Sequence, residues 1–256
     1  EKIRRAVDIS EGSIQKLYAE DTNLIILQED KVSRALIDKD AIYTAEGQRL
    51  SVQGAEVIGQ ILPYSGKFGI SKNPESFAVY GNRKYFTDKR RGLVLRLSQD
   101  GITPISDAGM RKFFSDNLKN ANRIYGMYDE PKDKYILSIH GKEFYDTELS
   151  YCAHDGLEQR VGFYTLGFDE RSKGWLSFYT YKPSFGFSLN NEFYTWPLYT
   201  DWVYTTSNVV PKPDAHNWRF WKHHSNSAPR CNWYSEPWND PCSIQFIFND
   251  EPNIVK

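Results

Sequence analysis

An aspartate that closes an aromatic strand and opens a turn recurs along this chain at a nearly fixed interval. It stands in YFTDKRRGLVLRLS (85–98), in GMYDEPKDKYILSI (126–139) and in LGFDERSKGWLSFYTY (166–181). Asp88 and Asp129 are 41 residues apart, and Asp129 and Asp169 are 40 apart. A period of about 40–45 residues, with several short strands in each unit, is the signature of propeller blades. The constraint is physical. One small antiparallel sheet cannot cover both of its faces, so repeated sheets must stack on one another.

Each unit reads as a hairpin. In the first, Arg83 to Thr87 is a strand, Asp88–Gly92 the turn and Leu93–Ser98 the return, with apolar Leu93, Leu95 and Leu97 at period two. Gln99-Asp100-Gly101 is a second tight turn, because Asp-Gly readily takes the positive φ that such turns require, and Ile102 to Ile105 follows as a third strand. The second unit turns at Glu130–Asp133 and returns through Tyr135–Ile139; the third turns at Arg171–Gly174 and returns through Trp175–Tyr179. A fourth unit, NEFYTWPLYTDWVYTT (191–206), keeps two strand-like runs without the turn aspartate. The carboxylates of Asp88, Asp129 and Asp169 are expected to accept backbone N–H groups across their turns. As equivalent turns of successive sheets about a common axis, they would not converge on a substrate. The expected fold is mainly β, with β-propeller-like repeats of short antiparallel strands and a few short inserted helices.

The flanks differ in character. Residues 1–60 read as an N-terminal segment, partly helical (EGSIQKLYAE) or a divergent blade, with strands at Leu24–Leu27 and Ser33–Ile37. Residues 61–206 hold the blades. Within them, 65–81 is a loop ending in the strand Ser76–Tyr80, and an amphipathic helix is inserted near 107–120, capped by Asp107, with Met110, Phe113, Phe114 and Leu118 on one face. Residues 207–256 give an aromatic strand and a Pro-rich loop leading to a further strand. Trp218, Trp221, Trp233, Tyr234 and Trp238 are candidates there for an interface, since Trp and Tyr serve interfaces well.

Several function classes find no support. With 32 basic and 33 acidic residues the net charge is −1, which supplies no strong phosphate-binding field. Lys89, Arg90 and Arg91 form a compact basic run that reads as a solvated turn. His216, His223, His224, Cys231 and Cys242 match no zinc spacing, so no metal is expected. Three cysteines, Cys152, Cys231 and Cys242, are too few for a disulfide framework. No GxSxG, HExxH, phosphate loop or CxxC is present, and no catalytic residue or cofactor is assigned. No apolar run reaches the ~20 residues that span a bilayer, so no membrane partner is expected. The chain opens on Glu1 and reads as an ordered piece of a longer polypeptide.

Four stretches carry a resemblance beyond pattern: EDKVSRALIDKDAIY (29–43), the run from GQILPYSGKFGISKNPESF into DAGMRKFF (59–114), KGWLSFYTYKPSFGFSLNNEFYTW (173–196) and RCNWYSEPWNDPCSIQFIFNDEPNIVK (230–256). From about residue 20 onward the chain resembles tail structural proteins of tailed bacteriophages, of the muzzle or nozzle type found in crAss-like and related short-tailed phages. The resemblance implies a non-catalytic virion protein, assembled in the bacterial cytoplasm. It would be a homo-oligomer, commonly a sixfold ring around the DNA exit channel, touching other phage tail proteins and, transiently, the passing DNA. The alternative is a glycan-binding or sialidase-like propeller: Asp169 through Gly174-Trp175 resembles the aspartate boxes of sialidases, which are themselves turn devices.

Overall fold

The aromatic and β-branched runs fold into antiparallel meanders. The computed structural model describes residues 5–21, 23–43, 49–141, 163–197, 202–204, 209–211, 220–227 and 234. The first sheet holds β1 (Ile14–Glu20), β2 (Asn23–Gln28), β3 (Val32–Tyr43) and β4 (Arg49–Pro63) in chain order. The second holds β5 (Ala78–Tyr80), β6 (Arg83–Asp88), β7 (Leu93–Ser98) and β8 (Gly101–Pro104). One helix follows, α1 (Arg111–Asn120). The third sheet holds β9 (Arg123–Asp129), β10 (Lys134–His140), β11 (Tyr164–Asp169) and β12 (Gly174–Tyr179). β13 (Pro183–Leu189) and β14 (Glu192–Pro197) open the fourth, and β15 (Trp202–Tyr204) with β16 (Val209–Pro211) make a separate two-stranded ribbon. β17 (Trp221–Lys222) then completes the fourth sheet against β14. The fold is mainly β. Among the described residues no helix is long and apolar enough to cross a membrane.

Period-two alternation explains how the sheets stack. Phe86, Leu95 and Leu97 on one face of the second sheet join Ile25, Leu27 and Val32 of the first. Tyr85 and Val94 on the other face join Tyr135, Leu137 and Leu166 of the third, with Phe114 and Leu118 of α1. The second sheet is therefore apolar on both faces, which is why β6 is buried from Lys84 to Asp88. The third sheet sends Met127 and Ile136 the other way, to Phe193 of the fourth. Each of these fully buried side chains contributes roughly 1.5–3 kcal/mol, more than a typical turn hydrogen bond.

The first strands of the four sheets lie side by side and run the same way. Gly126 of β9 meets the Ser76 carbonyl so closely that an added Cβ would sit 2.0 Å from it, and further along Tyr80 stacks on Tyr128 at 4.2 Å. Gly186 of β13 meets Met127, and two residues on Ser188 donates to the Tyr128 carbonyl and accepts from the Glu130 amide. On the other side, the Tyr18 ring of β1 packs on Phe77 at 5.6 Å, and Glu20 pairs with Lys84, the cross-strand neighbour of Val79.

The hairpins expected at 83–98, 126–139 and 166–181 are present, but their interval does not mark successive sheets. Lys134 pairs with Asp129 on one side and with Asp169 on the other, so those two hairpins belong to one sheet, and Asp88 lies in the sheet before it. The sheets open at Ile14, Ala78, Arg123 and Pro183, at unequal intervals. Alternation identifies a hairpin; it does not say which hairpin of a meander it is.

Other expectations are also corrected. EGSIQKLYAE is not a helix: Ile9–Glu11 is one 3-10 turn and Ile14–Glu20 is β1, whose ladder with β2 overrides the helix propensity of Gln, Lys, Leu and Ala. The inserted helix starts later than expected, after Met110, because Asp107 closes a 3-10 turn and Gly109 at φ +79° separates the two. The two runs of 191–206 fall in different sheets. β14 pairs with β13 across Asn190-Asn191, both left-handed as a type I′ turn requires, while β15 pairs with β16. The boundary expected after residue 60 falls inside β4, and the one after 206 falls between the paired strands β15 and β16.

Candidate functional site

Because β1, β5, β9 and β13 are neighbours, the space between them is a groove of about 560 Å³. Lys16, Phe77, Tyr125, Met127, Phe185 and Ser188 contribute to its walls. The Lys16 ammonium lies 5.4 Å from the centre of the Phe77 ring, a cation–π contact, and Phe185 is 54% exposed. The groove's serines are engaged in holding strands together. Ser184 donates to the Pro197 carbonyl at 3.2 Å and Ser188 to the Tyr128 carbonyl at 2.8 Å. Glu75 and Glu130 supply negative charge; the Glu130 amide donates to the Ser188 hydroxyl, but among the described residues neither carboxylate is bonded to a serine there. The groove can take up an elongated, partly apolar ligand; among the described residues it pairs no nucleophile with a base. Among the described residues no group of three His, Cys, Asp or Glu side chains is placed to hold a metal.

The three turn aspartates do accept backbone amides, but their surroundings diverge. Asp88 is wholly buried and accepts from the Arg91 amide (3.2 Å), the Ser71 hydroxyl (3.0 Å) and the Arg91 guanidinium (2.7 Å). Asp129 accepts from the Lys132 amide at 3.3 Å and faces His224 Nε2 at 2.7 Å. Asp169, half-buried, accepts from the Arg171 amide at 2.7 Å. β6 runs against β5 while β9 runs with it, so Asp88 sits at the opposite end of the stack from Asp129 and Asp169. The three do not share a cleft. The basic run beside Asp88 is a partly solvated turn, with the Arg90 side chain 61% exposed, and it is also tied down. Arg90 and Arg91 both bond Asp30 in the β2–β3 turn, which ties the second sheet to the first.

A further polar cluster is one the sequence does not announce. Glu170, next to Asp169 and 7% exposed, accepts from the Tyr85 hydroxyl at 2.5 Å and from Arg96 at 2.7 Å, with Arg83 at 3.9 Å. Tyr85 lies in a row of rings, 4.7 Å from Tyr135 and 5.8 Å from Tyr128. Burial, and then the bond to Glu170, pushes the Tyr85 hydroxyl well above the ordinary tyrosine range, so it remains a proton donor. Tyrosine, glutamate and two arginines are the residue types of a sialidase-like centre. Here Tyr85 is wholly buried and Glu170 nearly so between the second and third sheets, while Arg96 is 20% and Arg83 43% exposed, and together they act as an inter-sheet latch. The only sequence signal was negative: a charged residue beside a turn, with nothing to show it faces inward.

The paired histidines go to different partners. His223 Nε2 meets the Thr195 hydroxyl at 2.6 Å, and that hydroxyl also meets the Tyr234 hydroxyl at 2.8 Å, while His224 turns to Asp129. Desolvation, helped by His224, lowers the His223 pKa to about 4. Of the candidate interface residues, Trp221 and Tyr234 are half-buried and pack on each other at 6.0 Å. Trp218, Trp233 and Trp238 lie outside the described residues, as do His216 and the three cysteines. Sequence reasoning missed the aromatic face of the fourth sheet, where Phe220 packs on Phe187 at 5.2 Å and on Trp196 at 4.9 Å. Alternation through PSFGFSL was the available signal. No known protein family matches the chain by sequence, and no curated protein does.

Proposed function

We propose that this chain is a propeller-type scaffold and a non-catalytic structural subunit of a bacteriophage tail, of the muzzle or nozzle kind, built into a ring around the DNA exit channel. The observation that carries the reading is the set of four codirectional first strands around one groove, each sheet covering a face of the next. That is how sheets stack about an axis in a propeller. The role in a tail rests on the sequence resemblance. The engagement of buried Asp, Glu and Ser groups in inter-sheet bonds is consistent with a scaffold. The test is direct. Purified phage tails should contain peptides of this chain by mass spectrometry in several copies per particle, and microscopy of the particle should trace it in a ring at the tail. Tails that lack the chain would overturn the proposal.

One observation favours a second reading, a glycan-binding propeller: Phe185 stands exposed beside the groove, where a sugar ring could stack. Trp175, the tryptophan of the box-like turn, is not available for this. Its indole donates to the Ile105 carbonyl at 3.0 Å and its ring packs on Phe114. Binding on a glycan array that is lost in Phe185→Ser would support the second reading, and a blank array would remove it.

A further inference from the structure

A second depression, of about 550 Å³, is lined by Lys72, Lys89, Arg90 and Lys119 together with Ser71 and Glu29. The lysines come from three separate elements: the loop before β5, the β6–β7 turn and the last turn of α1. Close packing draws them together, since Gly92 at the end of the β6–β7 turn lies against the Ser115 backbone of α1. Of the nearby carboxylates, Glu29 faces Lys72 and Arg90 and offsets part of their charge, and the others are engaged elsewhere. Asp30 is bonded by Arg90 and Arg91, Asp88 by Arg91, and Glu29 accepts from the Ser13 hydroxyl at 2.7 Å. Lys72 and Lys89 take part in no ion pair among the described residues, and Lys119 donates only to the Ser115 hydroxyl. A basic residue in the last turn of a helix complements the helix dipole, which accounts for Lys119 but not for the other two.

We infer that this depression binds a phosphate-bearing polyanion. The chain as a whole carries a net charge of −1, so three lysines facing one hollow are a local excess. At physiological salt, charges within about 8 Å repel one another appreciably, and a multiply charged phosphate relieves that repulsion. Lysine suits the task as a flexible point charge that needs no fixed fork geometry. The same chemistry serves a free oligophosphate or the backbone of a nucleic acid.

The test titrates the 256-residue chain with inorganic tripolyphosphate and, separately, with a single-stranded oligonucleotide, reading affinity by calorimetry at several salt concentrations. With three lysine contacts to the oligonucleotide, log K should fall with log salt at a slope of about −2. The triple variant Lys72→Ser, Lys89→Ser, Lys119→Ser should weaken binding at least tenfold. Glu29→Gln, which removes the hollow's own carboxylate, should strengthen it several-fold. A control of equal charge change, Lys132→Ser, Lys173→Ser, Lys182→Ser, should leave affinity unchanged, and thermal melts confirm that each variant is folded. Lysine-dependent binding of tripolyphosphate alone names the free anion as ligand; lysine-dependent binding of the oligonucleotide names nucleic acid. Failure to bind either probe, or equal affinity in the triple variant and the parent, overturns the inference.

Discussion

Removing the Glu170 carboxylate should loosen the junction between the second and third sheets, and the size of the effect follows from its partners. The carboxylate accepts one bond from the buried Tyr85 hydroxyl and one from Arg96, whose side chain is 20% exposed. Breaking a fully buried ion pair costs about 3–5 kcal/mol. The partial exposure of Arg96 lets water reach it, so Glu170→Gln is expected near the lower bound, about 3 kcal/mol. Tyr85→Phe removes one hydrogen bond to a charged acceptor and should cost about 1.5–2 kcal/mol. The two changes share a bond, so the double variant should fall short of their sum by about 1–2 kcal/mol. Urea midpoints with unchanged m-values would measure all three. The melting temperature should drop by about 6–12 °C in Glu170→Gln, at roughly 2–4 °C per kcal/mol for a chain of this size. If the double variant is additive within about 0.3 kcal/mol, or Glu170→Gln costs less than about 1 kcal/mol, the latch is not what holds these sheets together.

Further expectations separate the structural reading from the simpler repeat. Equivalent turns would make Asp88→Ala and Asp169→Ala equally harmful; the structure instead sets Asp88→Ala at about 3 kcal/mol, because the wholly buried carboxylate is the shared acceptor of the Ser71 hydroxyl, the Arg91 amide and one of the two ion pairs of Arg91, and Asp169→Ala at about 1 kcal/mol, measurable by chemical denaturation. Gly126→Ala places a Cβ against the Ser76 backbone and should abolish stable folding or cost several kcal/mol, whereas at Gly81, with φ +53° and open space, alanine should cost only about 1 kcal/mol by thermal melt. His140 and His223 are held to pKa values of about 4 by burial. Between their ordinary value of 6.5 and about 4, the unfolded chain binds protons that the folded chain does not. Stability should therefore fall as pH drops through that window, by roughly 1.4 kcal/mol per pH unit for each histidine, and His223→Asn should flatten the melting-temperature profile.

The sequence by itself determined the local structure. Leu93, Leu95 and Leu97 alternate because a strand turns its side chains over at every residue, and Asp-Gly at 100–101 bends the chain because few other pairs take that backbone so readily. These rules act over a few residues, so the hairpins at 83–98, 126–139 and 166–181 were legible one by one. Tertiary structure decided which hairpins share a sheet, since Lys134 finds Asp129 and Asp169 through ladders on its two sides, and no short-range pattern encodes the second ladder. It also decided that Ile14–Glu20 is a strand, because pairing with β2 outweighs its weak helical preference. The groove of first strands, the Glu170 latch and the lysine hollow each join residues from distant parts of the chain. They exist only once the sheets have stacked, and burial of apolar surface is the force that stacks them.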